Sequence, residues 1–232
     1  SKYSGWYSVS DEAFYSEDEI IEKNNTKIST VSGSTVEWVE EESYFFKLSK
    51  WQEPLLKFYN ENPNFILPNS RKNEVISFVK SGLKDLSVSR KSFSWGIKVP
   101  SNKDHVIYVW LDALTNYISA LNYPNTNDKL YKSFWPASLH LIGKDILRFH
   151  AVYWPAFLLA AKLPVPKRIY AHGWILSGDE KMSKSKGNIL NPLEIIESYG
   201  VDELRYYLMK EVSHGSDGNI SLKSLENCIN SD

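Results

Sequence analysis

The stretch Leu139-His140-Leu141-Ile142-Gly143-Lys144-Asp145 decides the fold. A short apolar run meets a glycine and then an acidic residue that opens the helical run Asp145–Ala161. Further strand-like runs stand at Phe93–Val99, His105–Leu111 and Arg168–His172, and a second helical run spans Asp112–Leu121. Apolar strands alternating with helices predict an α/β fold whose parallel sheet is covered on both faces. Ligands of such sheets bind outside the carboxyl ends of the strands. The segments after Leu111, Ile142 and His172 are therefore the places to look for chemistry.

Upstream the pattern is different. Residues 5–48 read as short strands and turns, with β-rich Val36-Glu37-Trp38-Val39 and Ser43-Tyr44-Phe45-Phe46. One helix is expected after Ser49, with Gln52 as a capping-box partner, ending before Asn62-Pro63. A second is expected from Asn69 to Ser81, stopped by Gly82. Downstream, Pro192 suits a first helical position and Gly200 a stop, and Asp202 starts another helix. From Ser213 the pattern is weak. The working division is residues 1–85, an α+β insertion; 86–190, the parallel α/β segment; and 191–232, helices.

Composition excludes several classes. With 232 residues, 42% hydrophobic and 24% charged, the chain is neither disordered nor collagen-like. One cysteine, Cys228, rules out an internal disulfide and any multi-cysteine zinc cluster. No histidine has metal-ligand spacing to another histidine or to Cys228, so no metal site is expected. The longest apolar stretch, Ala151–Ala161, contains Pro155 and falls short of the ~20 residues a membrane span needs. A soluble, cytoplasmic protein without membrane contact is the expectation. The net charge of −1 hides an asymmetry: residues 1–43 carry −7 and residues 140–190 carry +5, so the latter favour an anionic ligand.

Several constellations could carry chemistry. Lys181-Met182-Ser183-Lys184-Ser185-Lys186, between Gly178 and Gly187, reads either as a solvated basic loop or as one that closes over a polyphosphate. Asp145 reads as a helix N-cap, or as an acceptor for ribose hydroxyls beside a backbone opened by Gly143. Ile146, Phe149, His150, Tyr153, Trp154 and Phe157 fall on one helical face, and Trp110, Ala113, Leu114 and Tyr117 on another. Such stripes form core, or a pocket for a polarizable thioether. His172-Gly173-Trp174 either ends a buried strand or offers main-chain groups to a purine edge.

Lys181-Met182-Ser183-Lys184-Ser185 matches in every position the signature loop of class I aminoacyl-tRNA synthetases. Tyr108-Val109-Trp110-Leu111-Asp112-Ala113, Ile142-Gly143-Lys144-Asp145-Ile146 and His172-Gly173-Trp174 resemble, in order, segments of the methionyl-tRNA synthetase family. The resemblance runs from Gly5-Trp6-Tyr7-Ser8 to the end. It implies the second half of a Rossmann-like catalytic domain, preceded by a connective insertion and followed by stem-contact helices. It also implies ATP-dependent activation of methionine to methionyl-adenylate, with Mg2+ accompanying ATP, and transfer to tRNA(Met). By position, Lys184 would act on the triphosphate with Lys181 and Ser185 assisting. Gly143 and Asp145 would hold the ribose, and His172, Gly173 and Ile175 the adenine side. Trp110, Ala113, Leu114, Tyr117, Ile146, Phe149, His150 and Trp154 would wall the methionine.

There are departures from the family pattern. No histidine precedes His105, so the family's His-Ile-Gly-His type motif is not in these residues, nor is an anticodon-binding domain. Leu114 stands where some members have proline. The insertion lacks cysteine knuckles, which implies no structural zinc there. The residues read as an interior piece, expected to be inactive alone. The alternatives are another class I synthetase, a nucleotidyltransferase with a similar loop, or a non-catalytic tRNA-binding module.

Overall fold

The computed structural model describes residues 2–9, 13–15, 17–23, 25–30, 32–92, 94–178, 180–182 and 187–231. Backbone contacts divide the chain into two compact units, residues 1–51 with 83–124, and residues 52–82 with 125–232.

The first unit is built from antiparallel pairs. Lys2–Ser8 lies between Ala13–Tyr15 and Glu37–Glu42, and Ile20–Lys23 pairs with Thr26–Ser29. Asn102–Ile107 lies between Lys98–Val99 and Ser89–Arg90, antiparallel to both. The sequence reading expected parallel strands over Phe93–Val99 and His105–Leu111, and that expectation fails here. Val99 pairs with Asn102 across a turn of Pro100 and Ser101, and two residues can join only an antiparallel pair. The following helix, Val109–Ser119, begins three residues earlier than its apolar pattern suggests. Ser49 lies in the 3₁₀ turn Leu48–Trp51 that leads into helix Gln52–Glu61, and its hydroxyl donates to Asp85 Oδ1 at 2.5 Å.

A buried polar network holds this unit's centre. Arg90, 3% exposed, donates through Nη1 to Ser87 Oγ at 2.7 Å and to the Ser89 carbonyl at 2.8 Å. Its guanidinium lies 4.4 Å from the Tyr108 ring centroid. Ser89 Oγ lies 3.1 Å from His105 Nδ1. Burying a guanidinium is costly, and these hydroxyl, carbonyl and aromatic partners offset part of that cost.

The second unit contains the parallel sheet. Ile169–His172 is its central strand, flanked by His140–Gly143 and by Ile66–Leu67, both parallel to it. Leu55 and Tyr59 of helix Gln52–Glu61, with Val75 and Val79 of helix Asn69–Lys80, are buried. The Tyr59 hydroxyl donates to the Ala151 carbonyl at 2.6 Å. Burial pushes the Tyr59 phenol far above its usual range. Gly82, at φ +108°, follows the second helix in a conformation that favours glycine.

The run Asp145–Ala161 is not one α-helix. It passes from a 3₁₀ turn at Lys144–Ile146 through a π-helical turn at Phe149–Tyr153 to an α-helix at Trp154–Ala160. At the carboxyl end of the chain, helices Pro192–Tyr199, Val201–Glu211 and Leu222–Ser231 pack around Ile195, Leu204, Tyr207, Ile220, Leu225 and Cys228. The Asn191 side chain caps the first of these, accepting from the Leu193 amide at 3.1 Å, with Pro192 following as expected. No helix among the described residues is long and apolar enough to cross a membrane.

Candidate active site

In the second unit, Gly143 and His172 are register partners at the carboxyl ends of adjacent parallel strands. The chain turns directly from Gly143 into the 3₁₀ turn, so the Asp145 carboxylate folds back over the glycine. A β-carbon on Gly143 would lie 2.5 Å from Asp145 Oδ1. Any larger residue would displace that carboxylate. Trp174 Nε1 donates to Asp145 Oδ1 at 3.5 Å, the far limit of a hydrogen bond.

His172 is exposed, and its Nδ1 lies 2.7 Å from the Gly173 carbonyl oxygen. A carbonyl can only accept, so Nδ1 is the donor of this hydrogen bond. Gly173 is buried, and the backbone of Ser216 covers it: a β-carbon there would fall 2.1 Å from the Ser216 carbonyl oxygen. Ile175 opens the strand Ile175–Ser177, which pairs with Gly218–Asn219 on one side and Glu180–Lys181 on the other.

That hairpin leads into the lysine-rich loop. Gly178 at φ +62° and Gly187 at φ +64° flank it in the left-handed region. Met182 packs against the carboxyl-terminal helical cluster. Lys181 lies in the strand Glu180–Lys181, while Lys184 and Ser185 fall outside the described residues.

Of the expected wall residues in this unit, His150 and Trp154 are each 2% exposed, and Ile146 and Phe149 are half-buried. The π turn brings Phe149 against Tyr153, ring centroids 5.5 Å apart. His150 Nδ1 donates to the Ile146 carbonyl at 3.0 Å. Burial holds the His150 imidazole below its usual range, partly offset by that hydrogen bond, so the ring is neutral at physiological pH. Trp110, Ala113, Leu114 and Tyr117 belong to helix Val109–Ser119 of the first unit. Ala113 and Tyr117 are exposed and Trp110 is half-buried, whereas Leu114, at 1% exposure, points into that unit's core.

Two features lie beyond the sequence reading. His140, on the strand before Gly143, is 4% exposed, with its ring centroid 6.0 Å from that of His150. Desolvation, and then the neighbouring His150, pushes its pKa down to about 4. Asp217, in the segment where local patterning fades, accepts from the Trp174 amide at 2.9 Å and pairs with Lys144 at 2.7 Å. The only local signal for it is the Asp217-Gly218 dipeptide, which marks a turn.

The chain is similar over its full length to known proteins. It is 61% identical over 230 residues to a methionine–tRNA ligase of Rickettsia bellii (strain RML369-C), covering 99% of this chain and 44% of that one. It is 57% identical, with the same coverage, to a methionine–tRNA ligase of Brucella suis biovar 1 (strain 1330). Mycobacterium tuberculosis methionyl-tRNA synthetase in complex with methionyl-adenylate superposes with a TM-score of 0.96 at 52% identity, covering 100% of this chain and 46% of that one. The apo form of the same synthetase gives a TM-score of 0.91 at 49% identity, covering 100% and 45%. The chain thus spans less than half the length of these relatives. The family model described as tRNA synthetases class I (M) matches residues 22–232, and the chain belongs to that family.

Proposed function

We propose that these residues form the ATP- and methionine-handling part of a methionine–tRNA ligase. The observation that carries the reading is the likeness, over all of this chain and 46% of the other, to a synthetase solved with methionyl-adenylate. The Gly143–Asp145–His172 arrangement at the end of the parallel strands supports it. On this reading the sheet belongs to the second half of a Rossmann-like domain. Residues 1–85 are its connective insertion, and residues 191–232 begin the helical region that contacts the tRNA stem.

The Asp145 carboxylate accepts from the ribose hydroxyls, and Gly143 keeps the backbone low enough for the sugar to approach. His172, Gly173 and the main chain at Ile175 hold the adenine side. Methionine's side chain is walled by Ile146, Phe149, His150 and Trp154. Sulfur gains from aromatic contact, and a neutral His150 avoids placing a charge beside a thioether. The methionine carboxylate attacks the α-phosphorus and pyrophosphate leaves. The acyl group then passes to the 3′ end of tRNA(Met). Lys184, helped by Lys181 and Ser185, neutralises charge that grows on the phosphates as the transition state forms. Mg2+ is read as a companion of ATP, since it favours phosphate oxygens and water over an all-protein cage. Among the described residues no group of three or more His, Cys, Asp or Glu side chains could hold a metal ion. The cytoplasm is the proposed location.

The test is methionine-dependent ATP–pyrophosphate exchange by the full-length protein. Exchange is expected with methionine and not with leucine or isoleucine, and none from a polypeptide of these 232 residues alone. Lys184→Ala should slow exchange by roughly a hundredfold or more, the scale of losing one transition-state donor, with methionine affinity little changed. No methionine-dependent exchange in the full-length protein would overturn the reading.

A further inference from the structure

A short strap, residues 213–218, crosses the end of the parallel sheet and is fixed at several points. The Tyr170 and His214 rings lie 4.4 Å apart, centroid to centroid. Gly215, at φ +81°, has no room for a side chain, since a β-carbon would lie 2.7 Å from Pro68 Cγ. Ser216 covers Gly173, and the Gly218 amide donates to the Trp174 carbonyl at 2.9 Å. From this strap Asp217 reaches back to both loops of the candidate nucleotide site. Lys144 Nζ lies 2.7 Å from each of its carboxylate oxygens, and Oδ1 also accepts the Trp174 amide at 2.9 Å. Lys144 in turn lies 4.3 Å from the Trp174 ring centroid, and the Trp174 indole reaches Asp145.

We propose that Asp217 is a positioning residue for the nucleotide: by gripping Lys144 and the Trp174 amide together, it locks the Gly143-Lys144-Asp145 turn against His172-Gly173-Trp174. This rests on the assignment of Asp145 and His172 to ATP. The two loops follow different strands, and no backbone ladder joins them beyond the Gly143–His172 register pair. The carboxylate supplies that tie. The Lys144 ammonium, followed by the Trp174 amide, holds the Asp217 carboxyl below its usual range, so the grip is ionised at neutral pH. Lys144 and Asp217 side chains are 20% and 32% exposed, which partly shelters the pair from water. Asp217 itself need not touch substrate.

The experiment compares Asp217→Ala, Asp217→Asn, Lys144→Met, the Asp217→Ala/Lys144→Met double variant and Asp145→Ala in the full-length protein. The readouts are KM for ATP, KM for methionine, kcat of exchange and Tm. Asp217→Ala should raise KM for ATP roughly tenfold, the scale of a charge-assisted hydrogen bond. KM for methionine should stay within about twofold, since binding of a remote group is not at stake. Asp217→Asn keeps an acceptor for the Trp174 amide and should fall between wild type and Ala. The double variant should lose little beyond the worse single, because residues in one network are not additive. Parallel rises in both KM values, a fall in Tm without a change in KM for ATP, or additive losses would overturn the proposal. If Asp145→Ala raises KM for ATP while Asp217→Ala does not, only the role of Asp217 fails. If Asp145→Ala leaves KM for ATP unchanged, the ATP assignment fails and the positioning role fails with it.

Discussion

Gly173 illustrates how little freedom single residues have around this site. With only 2.1 Å between its missing β-carbon and the Ser216 carbonyl, alanine could be accommodated only by moving backbone, because there is no flexible side chain to yield. Gly173→Ala is expected to cost about 2–3 kcal/mol, the upper part of the overpacking range, measured by chemical denaturation. Gly143 differs. Its near neighbour is the tip of the Asp145 side chain, so Gly143→Ala should disturb the carboxylate more than the fold. In the sequence both glycines are visible as places where something can approach. That one meets a carboxylate and the other a distant backbone segment is information held only by the fold. Leu114 shows the converse: helical spacing groups it with Ala113 and Tyr117, yet it points into the core.

At the scale of elements, sequence signals worked where they were local. Asn69–Lys80 ends before Gly82, Pro192 opens its helix, and the strands expected at Leu139–Ile142 and Arg168–His172 appear as His140–Gly143 and Ile169–His172. They failed where identity depends on a distant partner. Ile66–Leu67, two residues close to Pro63 and Pro68, is too short to show a strand pattern and is a strand only because it pairs with Ile169–His172. The π turn at Phe149–Tyr153 is invisible to a pattern of period 3.6, which fits residues on either side of it equally well. The carboxyl-terminal helices are legible as helices, but the strap between the last two is not. Leu225, 1% exposed in the cluster that anchors this strap's far end, makes the link testable. Leu225→Ala should cost about 2–4 kcal/mol by loss of buried volume, and increase amide exchange at Gly218 and Ile220 beyond that in Ile169–His172.

For the whole molecule, buried imidazoles contribute to the response to acid. The folded His140 ring resists protonation until about pH 4, whereas an unfolded histidine takes up its proton near 6.5. Between those values the unfolded chain binds more protons, so stability falls as the pH falls and is unaffected by this group above the upper value. The loss amounts to up to about 3 kcal/mol, and His150 acts in the same direction. Plotting Tm from pH 7.5 to 4.5 should give a shallower decline for His140→Gln than for wild type. Equal slopes would remove His140 as the source.

The pairing of Ile66 with Ile169 has a consequence for how the protein is made. These partners stand 103 positions apart, so closing the loop between them costs on the order of 4 kcal/mol of chain entropy before the sheet yields any return. On the ribosome, helices Gln52–Glu61 and Asn69–Lys80 emerge well before residues 151 and 169, which complete their surroundings. At typical elongation speeds that interval is roughly 5–20 s. During it, the faces bearing Leu55, Val75 and Val79 are without their final partners, a window in which a nascent chain of this kind is open to chaperones and to misassembly.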